Sequence, residues 1–482
     1  MPPRSSLLAL AAAALLSACA VGPDYVRPTL DVPPAYKESG DWKPADPRPA
    51  ASGLAWWQAY GDPVLDGLEA DALGANQNIR QAEATYRQAK AIVDEDRAGL
   101  FPTLGLNLGA QRARTNTTGT PRTGNSLSLG LAGSWEPDLW GSVRRTIESG
   151  IASAQASADD LAAARLSIQT TLAQDYVQLR IADQQRDLYA TTIATYTKAL
   201  DLTRAQHNAG VALLSDVSLA ESQLAEAQAA AVDLEATRAQ LEHAIAVLTG
   251  RAPAQFRLAR AAADQPLALQ MPDTPAGLPS ALLEHRPDIA GAERRAAAAN
   301  ADIGVAKAAY FPQLTLSASG GFGAAALGNL FDTPGRVWAL GAALAQTIFD
   351  GGLRRARTAQ AEAAYDISVA EYKQTVLGGF QQVEDELALL RLLKQEATFQ
   401  DQAVRSSQQA QQSALAQYRA GTVSYLNVVT TQTTLLNNQR TAVQLRGRLM
   451  AASISLVSAT GGGWSASDPL AAAPAASAAQ PQ

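Results

Sequence analysis

Few residues of this 482-residue chain are placed to do chemistry. The single thiol, Cys19, could be modified covalently. The three histidines, His207, His243 and His285, lie far apart. None has Cys or carboxylate companions at ligand spacing, so no metal site is expected. The stretch EHRPDI, Glu284 to Ile289, has the order of a kinase catalytic loop, yet no Gly-rich loop, catalytic Lys or DFG accompanies it. Pro287 suits a first helical turn, with Asp288 on the helix dipole. No nucleophile–base set is found, so catalysis is not expected. The formal net charge of −6 leaves no basic excess for phosphates and argues against a nucleic-acid partner. The Arg-Arg pairs at 144–145, 294–295 and 354–355 read as solvated or headgroup-facing.

Cys19 ends the run MPPRSSLLALAAAALLSAC, in which Arg4 is a positive n-region and Leu7 to Leu16 an apolar h-region. Leu16-Ser17-Ala18-Cys19 resembles the bacterial lipoprotein box. That resemblance implies a signal peptide over 1–18 and acyl chains on Cys19, the one covalent group expected and the only cofactor-like addition. Two or three chains make a firm anchor, at about 0.8 kcal/mol per buried methylene. By the same resemblance, Ala20 after the Cys implies sorting to the outer membrane. Beyond the signal no apolar run reaches 18 residues, so any membrane crossing must use strands.

The elements that carry these residues come twice. WEPDLWGSVRR, Trp135 to Arg145, echoes TIFDGGLRR, Thr347 to Arg355, and Arg144 and Arg354 lie 210 positions apart. LFPTLGL (from Leu100) matches YFPQLTL (from Tyr310), and NAGVALLSDV (from Asn208) matches RAGTVSYLNV (from Arg419). One order of parts, repeated, signals an internal duplication. Each copy alternates strictly over a hairpin. Leu104, Leu106, Leu108 and Ala110 oppose Gly105, Asn107, Gly109 and Gln111, and Leu127, Leu129, Leu131 and Trp135 oppose small residues. In the second copy Leu314, Leu316, Ala318 and Phe322 face one way, followed by Trp338, Leu340, Leu344 and Ile348. Apolar-out, polar-in strands of about ten residues with aromatics near their ends fit a transmembrane barrel.

Each hairpin leads into a long helix. Ser142 to Asn208 holds helix formers without Pro, roughly 67 residues or about 100 Å. Steps of four and three, as in Tyr189, Ile193, Tyr196 and Leu200 or Val376, Phe380, Val383, Leu387 and Leu390, are those of coiled coils. In the last helix the same steps pick out Leu426, Val429, Thr433 and Leu436. At the junctions, Trp135 suits the membrane interface, Asp138 and Asp350 can cap the helix starts, and Gly141 and Gly351 supply the turn. Gly210 and Gly421 end long helices as left-handed caps and mark helical tips. Four strands cannot close a barrel. A dimer would give eight strands with a filled interior, whereas a trimer would give twelve and a lumen.

CAVGPDYVRP at Cys19, WWQAYGDPVLDGL at Trp56, WEPDLWGSVRR at Trp135, RPDIAGAERRAAAANADIGVAKAAYFPQLTL at Arg286 and YRAGTVSYLNVV at Tyr418 together resemble the TolC-like outer-membrane efflux lipoproteins. The resemblance implies an α+β membrane protein. Each of three copies would give four strands to a 12-stranded transmembrane β-barrel, continued as a coiled-coil α-helical barrel in the periplasm. It implies a passive export duct for small molecules in the cell outer membrane, with a periplasmic adaptor and an inner-membrane efflux pump as partners. It also implies a periplasmic gate at Asp216 and Tyr418. Asn427 stands where the family tends to carry a carboxylate ring, which leaves Tyr425 as a candidate to narrow the pore. Gly210 and Gly421 would mark the adaptor-docking tips. A type I protein-secretion channel and a lipid-tethered scaffold remain alternatives.

The expected organisation is a signal over 1–18, an acylated extended segment over 19–54, and a first repeat over 55–270. That repeat has a strand hairpin near 103–136 and a helical hairpin near 142–249. A second repeat covers 271–463, with hairpins near 313–349 and 352–460, before a low-complexity tail over 464–482.

Overall fold

The computed structural model describes residues 20–39, 55–116, 121–260, 271 and 285–464. The signal over 1–18, Cys19, residues 40–54 of the segment before the first repeat and residues 465–482 lie outside the described residues. The helices are α1 (Pro63–Ala75), α2 (Gln77–Ala98), α3 (Ser142–Asn208), α4 (Leu214–Leu248), α5 (Pro287–Ala308), α6 (Leu353–Arg419) and α7 (Tyr425–Ala459). The strands are β1 (Thr103–Thr115), β2 (Arg122–Trp135), β3 (Gln313–Ala324) and β4 (Arg336–Ala345). The duplication is exact in helix length: α2 and α5 have 22 residues each, α3 and α6 have 67, and α4 and α7 have 35. Two copies of one ancestral unit explain that match better than chance.

The strands form one antiparallel sheet in the order β1-β2-β3-β4. Its register gathers the apolar residues of all four strands on one face, because Leu108 pairs with Leu129, Leu129 with Phe322 and Ala318 with Leu340. The other face pairs Gly109 with Ser128 and Gly130 with Gly321. On the apolar face Leu108 is 76% exposed and Trp338 78%. Within the described residues β1 and β4 each pair with only one strand, so both edges are open. β4 ends at Ala345, short of the expected 349, and leaves Ile348 and Phe349 beyond the ladder. Its last partner is Gln313, and the next residue, Pro312, has no N–H with which to continue the pairing.

The chain forms two compact units that cut across the two repeats. One holds the described parts of Met1–Leu30, Ala84–Ala158 and Gly291–Gln374, and therefore the whole sheet. The other holds those of Asp31–Glu83, Asp159–Ala290 and Thr375–Gln482. Each repeat contributes to both, because α3 and α6 are long enough to serve two cores. In the second unit Asp62 caps α1, its Oδ1 accepting from the N–H of Val64 at 2.8 Å, while its Oδ2 accepts from the Tyr176 hydroxyl at 2.6 Å. Trp57, Tyr60, Leu65, Leu172, Ile245 and Ile454 close the apolar cluster there. Trp464, assigned to the tail by its place after three glycines, is buried and its carbonyl meets His285.

Candidate functional site

The two barrel-to-helix junctions share one construction. Asp138 Oδ2 accepts from the backbone N–H of Arg144 at 2.9 Å and from its Nε at 3.2 Å. Asp350 accepts from the N–H of Gly352 at 3.0 Å and from Arg354 Nε at 2.6 Å. Each carboxylate thus satisfies a free N–H near a helix start and holds an arginine of the following turn. Arg354 keeps the Asp350 carboxyl below its usual range. Gly141 has φ +81° and Gly351 +62°. At Gly141 a Cβ would also meet Ala20 Cα at 2.8 Å, so the N-terminal segment needs the bare backbone. Trp135 Nε1 donates to the Leu100 carbonyl at 3.0 Å, tying the end of β2 to the turn that precedes β1.

The second arginine of the first pair departs from the reading as solvated or headgroup-facing. Arg145 is 4% exposed. Its Nη2 donates to Asp24 Oδ1 at 2.9 Å, its Nη1 to Glu148 at 2.7 Å and its Nε to the Val21 carbonyl at 3.3 Å. Val21 N–H donates to the Trp140 carbonyl at 3.0 Å, and Asn300 Nδ2 donates to the Pro23 carbonyl at 3.0 Å. The segment after Cys19 is therefore strapped to the junction by a buried cation. Replacing Arg145 with Met is expected to free residues 20–30 while the helices stay folded. Limited proteolysis should then cut the strap at least tenfold faster, since a charge-assisted clasp worth roughly 1.5–3 kcal/mol is gone. Unchanged cleavage rates would show that the Trp140 and Asn300 hydrogen bonds and the contact at Gly141 hold it without the cation.

At the tips, Gly210 and Gly421 both have φ +73°. Val211 N–H donates to the Gln206 carbonyl at 2.8 Å and Thr422 N–H to that of Gln417 at 3.0 Å. These are the six-to-one bonds of a glycine-ended helix, made identically in each repeat. The first tip exposes Val211, Leu213 and Leu214. Asp216 Oδ2 accepts from the N–H of Leu213 at 3.4 Å, so its carboxylate serves the start of α4. Tyr418 is buried, its hydroxyl 3.5 Å from Thr203 Oγ1. Val217, beside Asp216, shares a cluster with Tyr418, Tyr425, Val428, Ala199 and Leu200. The structure therefore puts Tyr418 in one core with Val217, the neighbour of Asp216, but Asp216 and Tyr418 bond to different partners.

Tyr425 does not suit the role of narrowing a pore. It is 1% exposed, its ring 5.3 Å from that of Tyr418, and burial pushes its hydroxyl up to about 12. A side chain already covered within its own chain has no surface to offer a lumen. Asn427 and Thr430 are exposed on the same helix. The buried seam of α7 starts with Tyr425, Val428 and Gln432, one position off the expected Leu426, Val429 and Thr433. Sequence reasoning also missed a buried ion network. Asp183 accepts from Arg238 Nε at 2.8 Å, and Arg238 Nη2 and Arg180 Nη1 donate to the carbonyls of Leu258 and Ala259. It pins the segment after α4 to α3, and no local pattern announces it.

The model of the family described as outer membrane efflux protein matches residues 68–251 and 278–462, one match for each repeat. The pyoverdine export outer membrane protein OpmQ of Pseudomonas aeruginosa is 33% identical over 468 residues, which are 95% of this chain and 97% of that protein. The toluene efflux pump outer membrane protein TtgF of Pseudomonas putida is 30% identical over 474 residues, with 96% and 97% covered. The solved outer-membrane channel OprN is similar with a TM-score of 0.85 at 29% identity, over 92% of this chain and 100% of that one. With the sheet, the paired junctions and the paired tips, these matches lead to one conclusion: the chain belongs to the outer membrane efflux protein family.

Proposed function

We propose that three copies of this chain close one twelve-stranded barrel in the outer membrane and extend into the periplasm as a passive duct for small-molecule export. In this reading a lipid on Cys19 adds an anchor, and no chemistry falls to the chain itself. A periplasmic adaptor engages the tips around Gly210 and Gly421 and links the duct to an inner-membrane efflux pump. Asp216 and Tyr418 help to hold the tips shut, and Asn427 supplies an uncharged ring beside them. The sheet carries the reading. Its apolar face is exposed and both of its edges are open, a state not tolerated in lipid until other copies complete the ladder. The relatives' roles, export of pyoverdine and of toluene, support an efflux duct but differ in cargo.

Native mass spectrometry of protein extracted from outer membranes in mild detergent tests stoichiometry and lipidation together. The expected species is a trimer of chains that begin at Cys19 and carry acyl groups. A monomer or dimer would remove the closed barrel, and a trimer with an unmodified thiol would remove the anchor.

A further inference from the structure

The coiled coil beneath the tips is interrupted at one level. Along α4 the buried residues run Val217, Ala220, Gln223 and Ala227; along α7 they run Tyr425, Val428 and Gln432. Val217, Ala220, Tyr425 and Val428 belong to the tip cluster. Ala227 belongs to the next cluster, with Tyr189 and Tyr196, against which Leu436 packs. Gln223 and Gln432 stand between the two, 7% and 4% exposed, each on the seam of its helix where its neighbours are apolar. α4 and α7 pack against each other. Tyr196 lies near Gln223 and Thr433, yet no atom of either the Gln223 or the Gln432 amide has a hydrogen-bond partner.

A buried amide on a coiled-coil seam weakens packing and fixes register, because it is stable only where a partner or water reaches it. We infer that Gln223 and Gln432 form a polar slip layer that uncouples the tip from the shaft and lets the tip helices separate when the duct opens. In the packed tip the Gln432 amide is buried and unpaired. Parting α4 from α7 wets it, so the layer favours the parted state over the packed one. A leucine at the same place would join the two apolar clusters into one and remove that bias. The inference rests on the duct reading above, and it assigns to these residues a role in opening rather than in the pore wall.

The test is single-channel recording of the purified trimer in phosphatidylethanolamine–phosphatidylglycerol bilayers in potassium chloride. Gln432→Leu is expected to lower the opening frequency roughly tenfold, the effect of removing one unsatisfied buried amide, without changing the conductance of each opening. Gln432→Glu, whose carboxylate gains more from water than an amide does, should raise it. A merely structural role would alter the temperature at which the trimer dissociates but not the gating in opposite directions. If the wild type conducts and Gln432→Leu opens as often, the slip layer is wrong and the duct stands. If the wild-type trimer passes no current at all, the duct reading fails and takes this inference with it.

Discussion

Arginine at Leu108 is expected to abolish assembly of the trimer in the membrane, whereas arginine at Asn107, one residue earlier in the same strand, leaves it intact. Leu108 lies on the apolar face, 76% exposed and paired with Leu129, which pairs in turn with Phe322. Asn107 pairs with Gly130 on the opposite face, and Gly130 with Gly321. A charge on the lipid side of a barrel strand costs about 2–4 kcal/mol near the bilayer midplane, and less toward its edges. Three copies multiply the penalty, to about 6–12 kcal/mol for a trimer, which is the size of a whole domain's stability. On the inner face the same guanidinium meets water and small neighbours, and it should change only ion preference. Heat-resistant trimer recovered from outer membranes measures this directly. Equal yields for both variants would mean that the apolar face does not look onto lipid.

Much of the fold was legible because its signals are local. The run without proline from Ser142 to Asn208 gave the bounds of α3 as observed, and Gly210 supplied its stop. Alternation of leucine with glycine and serine located all four strands, and the 210-residue echo anticipated equal helices in each half. The end of β4 was misplaced because a ladder stops where its partner stops, at Pro312, which lies 33 residues before Ala345. The α7 seam was misplaced because Gln432 sits in it. A polar residue on a buried stripe hides the stripe from any reading that follows apolar residues, and it drew the expected seam onto the exposed Leu426.

The site was legible where chemistry is written in short motifs and hidden where it depends on long-range pairing. Gly210 and Gly421 follow from helix ends alone, and Asp138 and Asp350 reach their own helices within six residues. Arg145 looked like the second half of a surface pair, yet its partner Asp24 is 121 residues away. Tyr176, whose hydroxyl meets Asp62 across 114 residues, gave no sign of its role. Burial of Tyr425 could not be read from α7 alone, because it requires the neighbouring Tyr418, Val217 and Leu200 of other helices.

Replacing Glu69 with Gln is expected to raise stability by about 3 kcal/mol at pH 7 and to leave it unchanged near pH 4.5. Glu69 is fully buried in α1 beside Leu68 and one turn before Ala72, both members of the apolar cluster, and neither carboxyl oxygen has a hydrogen-bond partner. Burial, helped by repulsion from Asp66, pushes it up from 4.5 to about 9. The folded state therefore holds this proton more tightly than the unfolded chain does. Below pH 4.5 both states are protonated and Glu69 costs no ionisation. As pH rises from 4.5 toward 9, the unfolded chain ionises and the folded one resists, so stability falls across that window and levels off above it. Gln is the shape of the protonated acid and cannot ionise, so the variant keeps the packing and loses the slope. The temperature at which the chains of the detergent-purified protein unfold, taken at pH 4.5, 7 and 9, reads the difference. Curves for variant and wild type should meet at the acid end and part steadily toward pH 9. Parallel curves would mean that Glu69 is ionised in the fold and finds a partner there. The cost applies to every copy and does not depend on assembly, because the carboxyl is covered within its own chain.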